Sequence, residues 1–381
     1  MSRVVAVAPV LPDHAYPQDE ISEVIGPLVT ADARRAGLMH RLHSNSGVRK
    51  RHLALPLGDY AALGGSFGAT NAVFVEQGLL LAERACREAL AAAGLEAGDV
   101  DHVFTTSVTG VAAPSLDMLL VERLGLRTDV RRTPSFGLGC AGGAGGLARV
   151  HDYLAGRPRD VAMLISVELC SLTLQHRDDS PANLVASGPF GDGAAAVVLV
   201  GDQHRLARPT RLRPAPRRPA HRHAGAARRT GPRPATVLDT RSRIYPGTTD
   251  DLGWEVRDSG FAIVLSAHLP DLLRAHLLAD VKGLLAEHAL TPAQVPTWVV
   301  HAGGPKILDA VQAALDLTDD DLRHSRESLA EAGNLSSASV LHVLSRTLEH
   351  SSAPSGSPVV LMAFGPGVST ELVLLRLEGR H

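Results

Sequence analysis

Cysteine, aromatic side chains and long apolar runs are all scarce in this sequence. Its 381 residues include three cysteines, Cys86, Cys140 and Cys170, and only 3% are aromatic. Three cysteines cannot form a closed disulfide framework, and without a Cys-x-x-Cys pair they do not indicate structural zinc. At least one thiol is therefore free for chemistry.

Membrane and secretion signals are also missing. The longest apolar run, residues 194–200, is far shorter than the roughly 20 residues of a membrane-spanning helix. Residues 1–12 lack the cationic start, sustained apolar core and small-residue cleavage site of a signal peptide. With 45% apolar and 20% charged residues, the chain is expected to fold as one large or two ordinary domains, in the cytoplasm.

The near-neutral charge conceals one strongly basic stretch. Residues 203–235 hold ten arginines, six prolines and no acid, and the rest of the chain has 28 basic against 40 acidic residues, a net charge of −12. Neither helical nor strand periodicity is visible there, so we expect a disordered loop or insertion. It is read as a basic arm for an anionic partner, a surface insertion, or the product of a shifted reading frame in GC-rich DNA. The scarcity of aromatics disfavours nucleic acid.

Short apolar runs alternate with amphipathic segments, which is the pattern of a layered α/β protein. Strands are predicted over 4–10, 102–106, 161–167, 194–200, 261–265, 298–300, 359–363 and 371–377, and helices over 74–93 and 271–288. The chain thus divides into an N-terminal half (1–202), the basic stretch (203–235) and a C-terminal half (236–381).

Cys140 stands at the start of a predicted helix that is rich in glycine. Glycines at 142, 143, 145 and 146 each weaken a helix by roughly 1 kcal/mol relative to alanine, so we expect a close backbone approach there. The helix macrodipole favours a nucleophilic thiolate at such a position. The alternative is a small buried cysteine beside a tight helix crossing.

The same segment contains a match to the dinucleotide-binding fingerprint, Gly137-x-Gly139-x-x-Gly142. That fingerprint requires a hydrophobic strand directly before its first glycine. The polar residues 131–135 are not expected to form one, although the strand 161–167 ends at an acid, Glu168. A nicotinamide site is therefore not favoured.

Two more polar residues precede helix starts in the C-terminal half. His301 ends a predicted strand and is followed by Gly303, Gly304 and a proline suited to the first turn of a helix. Open α/β sheets bind ligands at the carboxyl ends of their strands, although a lone histidine is often structural. Asn334 and Ser336 precede another apolar stripe and, taken alone, are helix N-caps.

Together these segments resemble the type III polyketide synthases of bacteria, in the chalcone synthase-like branch of the thiolase superfamily. The resemblance covers nearly the whole chain apart from the basic stretch. It rests on five ordered motifs: GCAGG at 139–143, FGDGAA at 190–195, HAGGPKIL at 301–308, GNLSSA at 333–338 and FGPG at 364–367.

The resemblance implies an α/β thiolase-like fold of two similar halves in five αβαβα layers, and a homodimer. It implies a catalytic triad of Cys140, His301 and Asn334. The thiol would carry the acyl chain as a transferable thioester, and His301 would stabilise its thiolate as an ion pair. His301 and Asn334 would then hold the enolate formed by malonyl-coenzyme A decarboxylation. No metal, flavin or nicotinamide is needed.

The resemblance also implies two sets of binding residues. The first lines the acyl cavity: Phe190, Ile263, Cys170, Thr173, Ser336, Phe364, Gly365 and Gly367. Ile263 replaces an aromatic gatekeeper, which favours an aliphatic or malonyl starter over an aromatic one, and Cys170 is equally read as a small buried hydrophobe. The second set binds coenzyme A: Arg41, Arg49, Lys50, Arg51, Gly303, Gly304 and Lys306. Asn45 stands where the family has a lysine.

We interpret the chain as an acyltransferase that extends an acyl-coenzyme A starter iteratively with malonyl-coenzyme A and releases an aromatic or pyrone product of secondary metabolism. The enzymatic alternative is a single-round ketosynthase of the fatty-acid-initiating type (3-oxoacyl-ACP synthase III), which shares the three catalytic residue types. A nicotinamide oxidoreductase and a non-catalytic protein that binds anionic partners through the basic stretch are the other hypotheses.

Overall fold

The computed structural model describes residues 1–207 and 233–379. The predicted disorder of the basic stretch therefore falls mainly on residues outside the described part of the chain. Its ends are described: Arg205–Ala207 forms a 3₁₀ turn, and the buried Arg233 donates from Nε to the carbonyl oxygen of Glu378 at 3.0 Å.

The strands are, in chain order, β1 (Ser2–Val10), β2 (His14–Pro17), β3 (Lys50–Leu53), β4 (His102–Ser107), β5 (Arg131–Phe136), β6 (Val161–Leu169), β7 (Asp192–Gly201), β8 (Ala235–Ile244), β9 (Leu252–Arg257), β10 (Gly260–Leu265), β11 (Thr297–Val300), β12 (Pro358–Gly365) and β13 (Ser369–Leu377). The helices are α1 (Gln18–Val29), α2 (Ala33–Ser44), α3 (Phe67–Ala93), α4 (Leu116–Leu124), α5 (Gly142–Gly156), α6 (Pro181–Ala186), α7 (Leu269–Ala286), α8 (Pro305–Leu315), α9 (Arg323–Ala332) and α10 (Ser339–His350).

The large sheet has the strand order β11-β12-β13-β8-β1-β7-β6-β4-β5. Strands of the N-terminal half lie on one side of it and strands of the C-terminal half on the other. The two halves join where Ser2 to Val4 of β1 pair with β8. The residues proposed for the site come from both sides of this junction, so the junction brings distant parts of the sequence together.

Strands β6 and β7 show why the chain forms layers. Every residue in both strands is buried, as expected for a sheet covered on two faces. Met163 and Ile165 pack with Ala85 of α3, whereas Ala162 and Leu164 face the core that contains α5. This alternation follows from the two-residue repeat of a strand.

Helices cover the sheet in three tiers. Helix α3 packs on β1, β6 and β7, and α5 and α10 lie between the two halves, in contact with strands of each. On the far side α7 packs against α8 and against β8 and β13. The predicted αβαβα thiolase-like fold is confirmed, as are all the predicted strands and both helices, with longer bounds for most of them.

One expectation was wrong. Residues 131–136, dismissed as too polar for a strand, form β5, which pairs in parallel with β4 and directly precedes Gly137. All but one of its residues are exposed, because β5 is the last strand in the sheet order. Within the described ranges, none of the helices combines the length and apolarity needed to span a membrane.

Candidate active site

Cys140 lies in a tight turn between β5 and α5. The chain leaves β5 through Gly137, turns at Gly139–Ala141, and enters α5 at Gly142. Gly139 has a φ of +51°, and a Cβ there would lie 2.6 Å from Cγ of Pro366. Only glycine fits this position, so the turn places Cys140 at the start of α5, as predicted.

The glycines of α5 bring the helix against protein rather than against a cofactor. A Cβ on Gly143 would lie 2.7 Å from Val340 Cγ1 and closer still to the carbonyl oxygen of Ser337. A Cβ on Gly142 would lie 2.7 Å from Thr106 Oγ1. The predicted close backbone approach is confirmed. Protein atoms fill the space beside Gly139, Gly142 and Gly143, so these glycines do not leave room for a dinucleotide, although the strand that the fingerprint requires is present.

Replacing Gly143 by alanine is expected to lower the free energy of unfolding by about 1–3 kcal/mol, because α5 must move away from Ser337. The matched control is Gly156→Ala at the exposed end of the same helix, where a Cβ meets nothing within 4 Å. For Gly156→Ala, the free energy of unfolding should stay constant or rise by up to about 1 kcal/mol. Guanidinium unfolding measures both, and equal effects of the two changes would contradict the close-approach account.

Asn334 and Ser336 adjoin the thiol. The Cys140 thiol donates to Ser336 Oγ at 3.6 Å and also interacts with the Asn334 side chain. Asn334 Nδ2 donates to the carbonyl oxygen of Gly303 at 3.2 Å, and its Oδ1 accepts from the backbone N–H of Ser336 at 2.9 Å. Asn334 thus combines the local capping bond with a contact to the loop that follows His301.

His301 follows β11 at the carboxyl end of that strand. Its backbone N–H donates to Met362 of β12 at 2.9 Å, and its side chain is 2% exposed. The imidazole lies close to Gly303, where a Cβ would stand 3.3 Å from Nε2. Nδ1 has no hydrogen-bond partner among the described residues. Buried polar atoms rarely lack a partner, which singles out this ring as a candidate site residue.

Burial of the two groups opposes the predicted thiolate–imidazolium pair, which stays a prediction. The Cys140 side chain keeps some exposure, yet the surrounding protein desolvates the sulfur, and this burial raises the pKa of the thiol to about 12. Burial also lowers the pKa of His301 to about 4. The hydrogen bonds that the thiol forms with Ser336 and Asn334 act in the opposite direction on its pKa without overcoming burial. Burial thus favours the neutral form of both groups.

Glu168 is a buried acid beside the Cys140 thiol. No role in the site was predicted for it. It accepts from Thr109 Oγ1 at 2.8 Å, from the backbone N–H of Val108 at 3.1 Å and from Ser337 Oγ. Burial raises the pKa of Glu168, and its charge raises that of Cys140. The one sequence signal was an acid at the end of an apolar strand.

Four residues predicted for the acyl cavity line one cavity: Phe190, Ile263, Cys170 and Thr173. Its volume is about 40 Å³, and Trp254 faces Phe190 at a ring separation of 6.1 Å.

The other four predicted cavity residues lie elsewhere near the site. Ser336 contacts the thiol instead of lining the cavity. Phe364 and Gly365 end β12 beneath the Cys140 turn, where a Cβ on Gly365 would lie 2.7 Å from Ala141 Cβ. Gly367 follows in a turn, with a φ of +63°.

The residues predicted to bind coenzyme A divide into two groups. Arg41, Arg49, Lys50 and Lys306 are exposed, and Gly303 and Gly304 form the loop between His301 and α8. Arg51, in contrast, is only 3% exposed, and it lines the cavity with Phe190 and Cys170. Its assignment to the exposed phosphate cluster was wrong, because its side chain faces the protein interior.

Comparisons with known proteins agree with this geometry. Residues 1–203 match the family model of chalcone and stilbene synthases, N-terminal domain, and residues 237–378 match the C-terminal domain of the same family. The chain is 50% identical over 373 residues to the 1,3,6,8-tetrahydroxynaphthalene synthase of Streptomyces peucetius subsp. caesius, covering 98% of this chain and 92% of that protein.

Two further relatives extend the comparison. The phloroglucinol synthase of Pseudomonas fluorescens is 30% identical and covers 96% of this chain and 97% of that protein. The crystal structure of the 1,3,6,8-tetrahydroxynaphthalene synthase of Streptomyces coelicolor, a bacterial type III polyketide synthase, superposes with a TM-score of 0.85 at 29% identity, covering 99% of each chain. The chain therefore belongs to the chalcone and stilbene synthase family and is an acyltransferase of the type III polyketide synthase class.

Proposed function

We propose that this enzyme condenses malonyl-coenzyme A repeatedly on Cys140 and releases a polyhydroxylated aromatic product of the 1,3,6,8-tetrahydroxynaphthalene type. The observation that carries the proposal is the set of contacts joining Cys140, Ser336, Asn334 and the Gly303 loop beside His301. The 50% identity to a tetrahydroxynaphthalene synthase supports the product class.

Loading begins with attack of the Cys140 sulfur on an acyl-coenzyme A. Because the pKa of the thiol is about 12, its proton must leave as the new bond forms. The neutral imidazole of His301 is the acceptor we assign to that proton, and it returns the proton to the departing coenzyme A thiolate as the old thioester bond breaks. The product is a thioester exchanged for a thioester, a nearly balanced step that keeps the chain transferable, whereas an oxygen nucleophile would trap it as an ester.

Extension requires malonyl-coenzyme A to lose carbon dioxide, which leaves negative charge on the thioester oxygen. Asn334 Nδ2 carries two N–H groups. One bonds Gly303, and the side chain also interacts with the Cys140 thiol, so the second N–H lies where it could donate to that oxygen. The depressed pKa of His301 keeps its ring neutral, with one N–H available as the second donor. These two fixed donors stabilise the negative charge of the enolate. The proposed chemistry needs no metal, flavin or nicotinamide.

Coenzyme A is assigned to the exposed cations Arg41, Arg49, Lys50 and Lys306 together with the loop 303–304. Guanidinium and ammonium groups are suited to its phosphates. The acyl cavity is assigned to Phe190 and Ile263 and the residues beside them. We place the reaction in the cytoplasm.

The enzyme is also proposed to be a homodimer that pairs through the free edge of β5. An exposed edge strand offers unpaired N–H and C=O groups. Phe136 at its end is 53% exposed and Met118 of the neighbouring α4 is 47% exposed, an apolar surface suited to a second copy. Light scattering after gel filtration should give twice the chain mass.

Incubation with radiolabelled malonyl-coenzyme A as the only substrate tests the proposed function. We expect a soluble aromatic product that contains several malonyl-derived units and forms without an acyl carrier protein. A single condensation that requires an acyl carrier protein would instead identify the fatty-acid-initiating ketosynthase activity.

A further inference from the structure

The wall of the acyl cavity carries a buried positive charge at Arg51. This residue lies on β3 and is the one cation among the residues that line the cavity. Burial lowers the pKa of Arg51 to about 10, so the guanidinium remains charged at pH 7. An arginine is rarely buried this deeply unless a partner compensates its charge.

The protein supplies hydrogen-bond acceptors for only some of the N–H groups of Arg51. Nε donates to Gln18 Oε1 at 2.9 Å and Nη1 donates to the carbonyl oxygen of Phe190 at 2.8 Å. Both acceptors are neutral. Nη2 has no hydrogen-bond partner, and Arg51 forms no ion pair within 4.0 Å, in the two ranges that the structure describes.

Asp192, the carboxylate whose charge acts on Arg51, is occupied by other donors. It accepts from the backbone N–H of Ala54 at 2.6 Å, from that of Ser171 at 2.7 Å and from Ser171 Oγ. Its charge raises the pKa of Arg51 without a direct bond. The guanidinium therefore keeps a donor for an acceptor that the described protein does not supply.

The cavity lies near the proposed nucleophile, although Cys140 is not one of its lining residues. Cys170 lines it, and the pKa of the Cys170 thiol responds to the charge of Cys140. The backbone of Phe190, which accepts from Arg51, forms a β-bridge with Asn334. An acyl chain on Cys140 that enters the cavity thus brings its far end towards Arg51. At about 40 Å³ the cavity holds about three waters, or a terminal carboxylate and the carbon that bears it.

We propose that Arg51 binds the terminal carboxylate of the acyl group through Nη2, so that the enzyme prefers acyl thioesters with a distal carboxylate to neutral ones of equal length. This inference rests on the proposed function, and it deepens it by naming the class of starter. Guanidinium–carboxylate hydrogen bonds are charge-assisted and directional, which makes Arg51 a selective contact rather than a general one.

The test compares two thioesters of one length, glutaryl-coenzyme A and pentanoyl-coenzyme A. Single-turnover acylation of the full-length enzyme is followed by intact-protein mass spectrometry. Arg51→Met should slow acylation by glutaryl-coenzyme A by about 10- to 100-fold, the range for hydrogen bonds to charged groups, and change pentanoyl-coenzyme A by less than threefold. The control Arg35→Met, at an exposed position of α2, should leave both rates unchanged.

Arg51→Lys provides a second variant that retains the charge, and it should keep part of the preference for glutaryl-coenzyme A. An equal loss for both thioesters in either variant would show that Arg51 merely supports Phe190, and would overturn the proposal. A wild-type enzyme that prefers pentanoyl-coenzyme A would overturn it as well. Failure of the wild type to become acylated by any thioester, in contrast, would count against the proposed function itself.

Discussion

Replacing Cys140 by alanine is expected to lower polyketide formation by at least about 1000-fold, while malonyl-coenzyme A decarboxylation remains measurable. Without the sulfur no acyl-enzyme forms, so every round of extension is lost. The proposed enolate donors, His301 and Asn334, are untouched by the change. Asn334 keeps its bonds to Gly303 and to the backbone of Ser336, because neither involves the thiol.

The measurement separates the two steps: product by liquid chromatography, and release of labelled carbon dioxide from malonyl-coenzyme A. Cys86→Ala is the matched control, since Cys86 is fully buried in α3 and packs in the hydrophobic core between α3 and the sheet. It should keep its activity within about twofold of wild type. Full-length product from the Cys140 variant would show that another group carries the chain.

Replacing His301 by alanine is expected to abolish both product formation and decarboxylation, with a loss of about 100- to 1000-fold in decarboxylation alone. Two roles of the imidazole disappear together: it accepts the thiol proton during loading, and it donates to the enolate. The depressed pKa of His301 fits a neutral ring that keeps one N–H to donate.

His301→Gln distinguishes the roles, because an amide donates a hydrogen bond but is a poor base. We expect it to recover decarboxylation partly and acyl loading hardly at all. The control is His342→Gln, a histidine of α10 whose ring bonds the carbonyl oxygen of Ala194 at 2.9 Å, outside the site. A His301→Ala enzyme that decarboxylates malonyl-coenzyme A at the wild-type rate would remove His301 from the enolate site.

Much of the fold could be predicted because burial leaves a plain pattern in the sequence. Strands β6 and β7 are buried on both faces and are therefore continuous apolar runs. Strand β5 was missed since its place at the sheet edge removes any need for apolar residues. Helix α3 begins at Phe67 rather than at residue 74, because its exposed first turns carry little periodicity and Ser66 caps it.

The site was predictable where local sequence carried the signal. Glycine demand and a helix start pointed to Cys140, whereas His301 and Asn334, taken alone, were open to structural roles and were assigned to the site through the family resemblance. The ionisation of Cys140 and His301 could not be predicted, because it depends on desolvation by residues far away in sequence. Arg51 was misassigned for a similar reason. Its neighbours Arg49 and Lys50 are exposed, and only the packing of β3 shows that the third cation of the run turns inward.

The most direct test of the account is to determine which cysteine carries the acyl group. The enzyme is incubated with an accepted acyl-coenzyme A, quenched in acid and digested, and the labelled peptide is sequenced by tandem mass spectrometry. We expect the acyl mass on Cys140 alone, among Cys86, Cys140 and Cys170. Stoichiometric acylation of Cys170 with Cys140 unmodified would contradict the account.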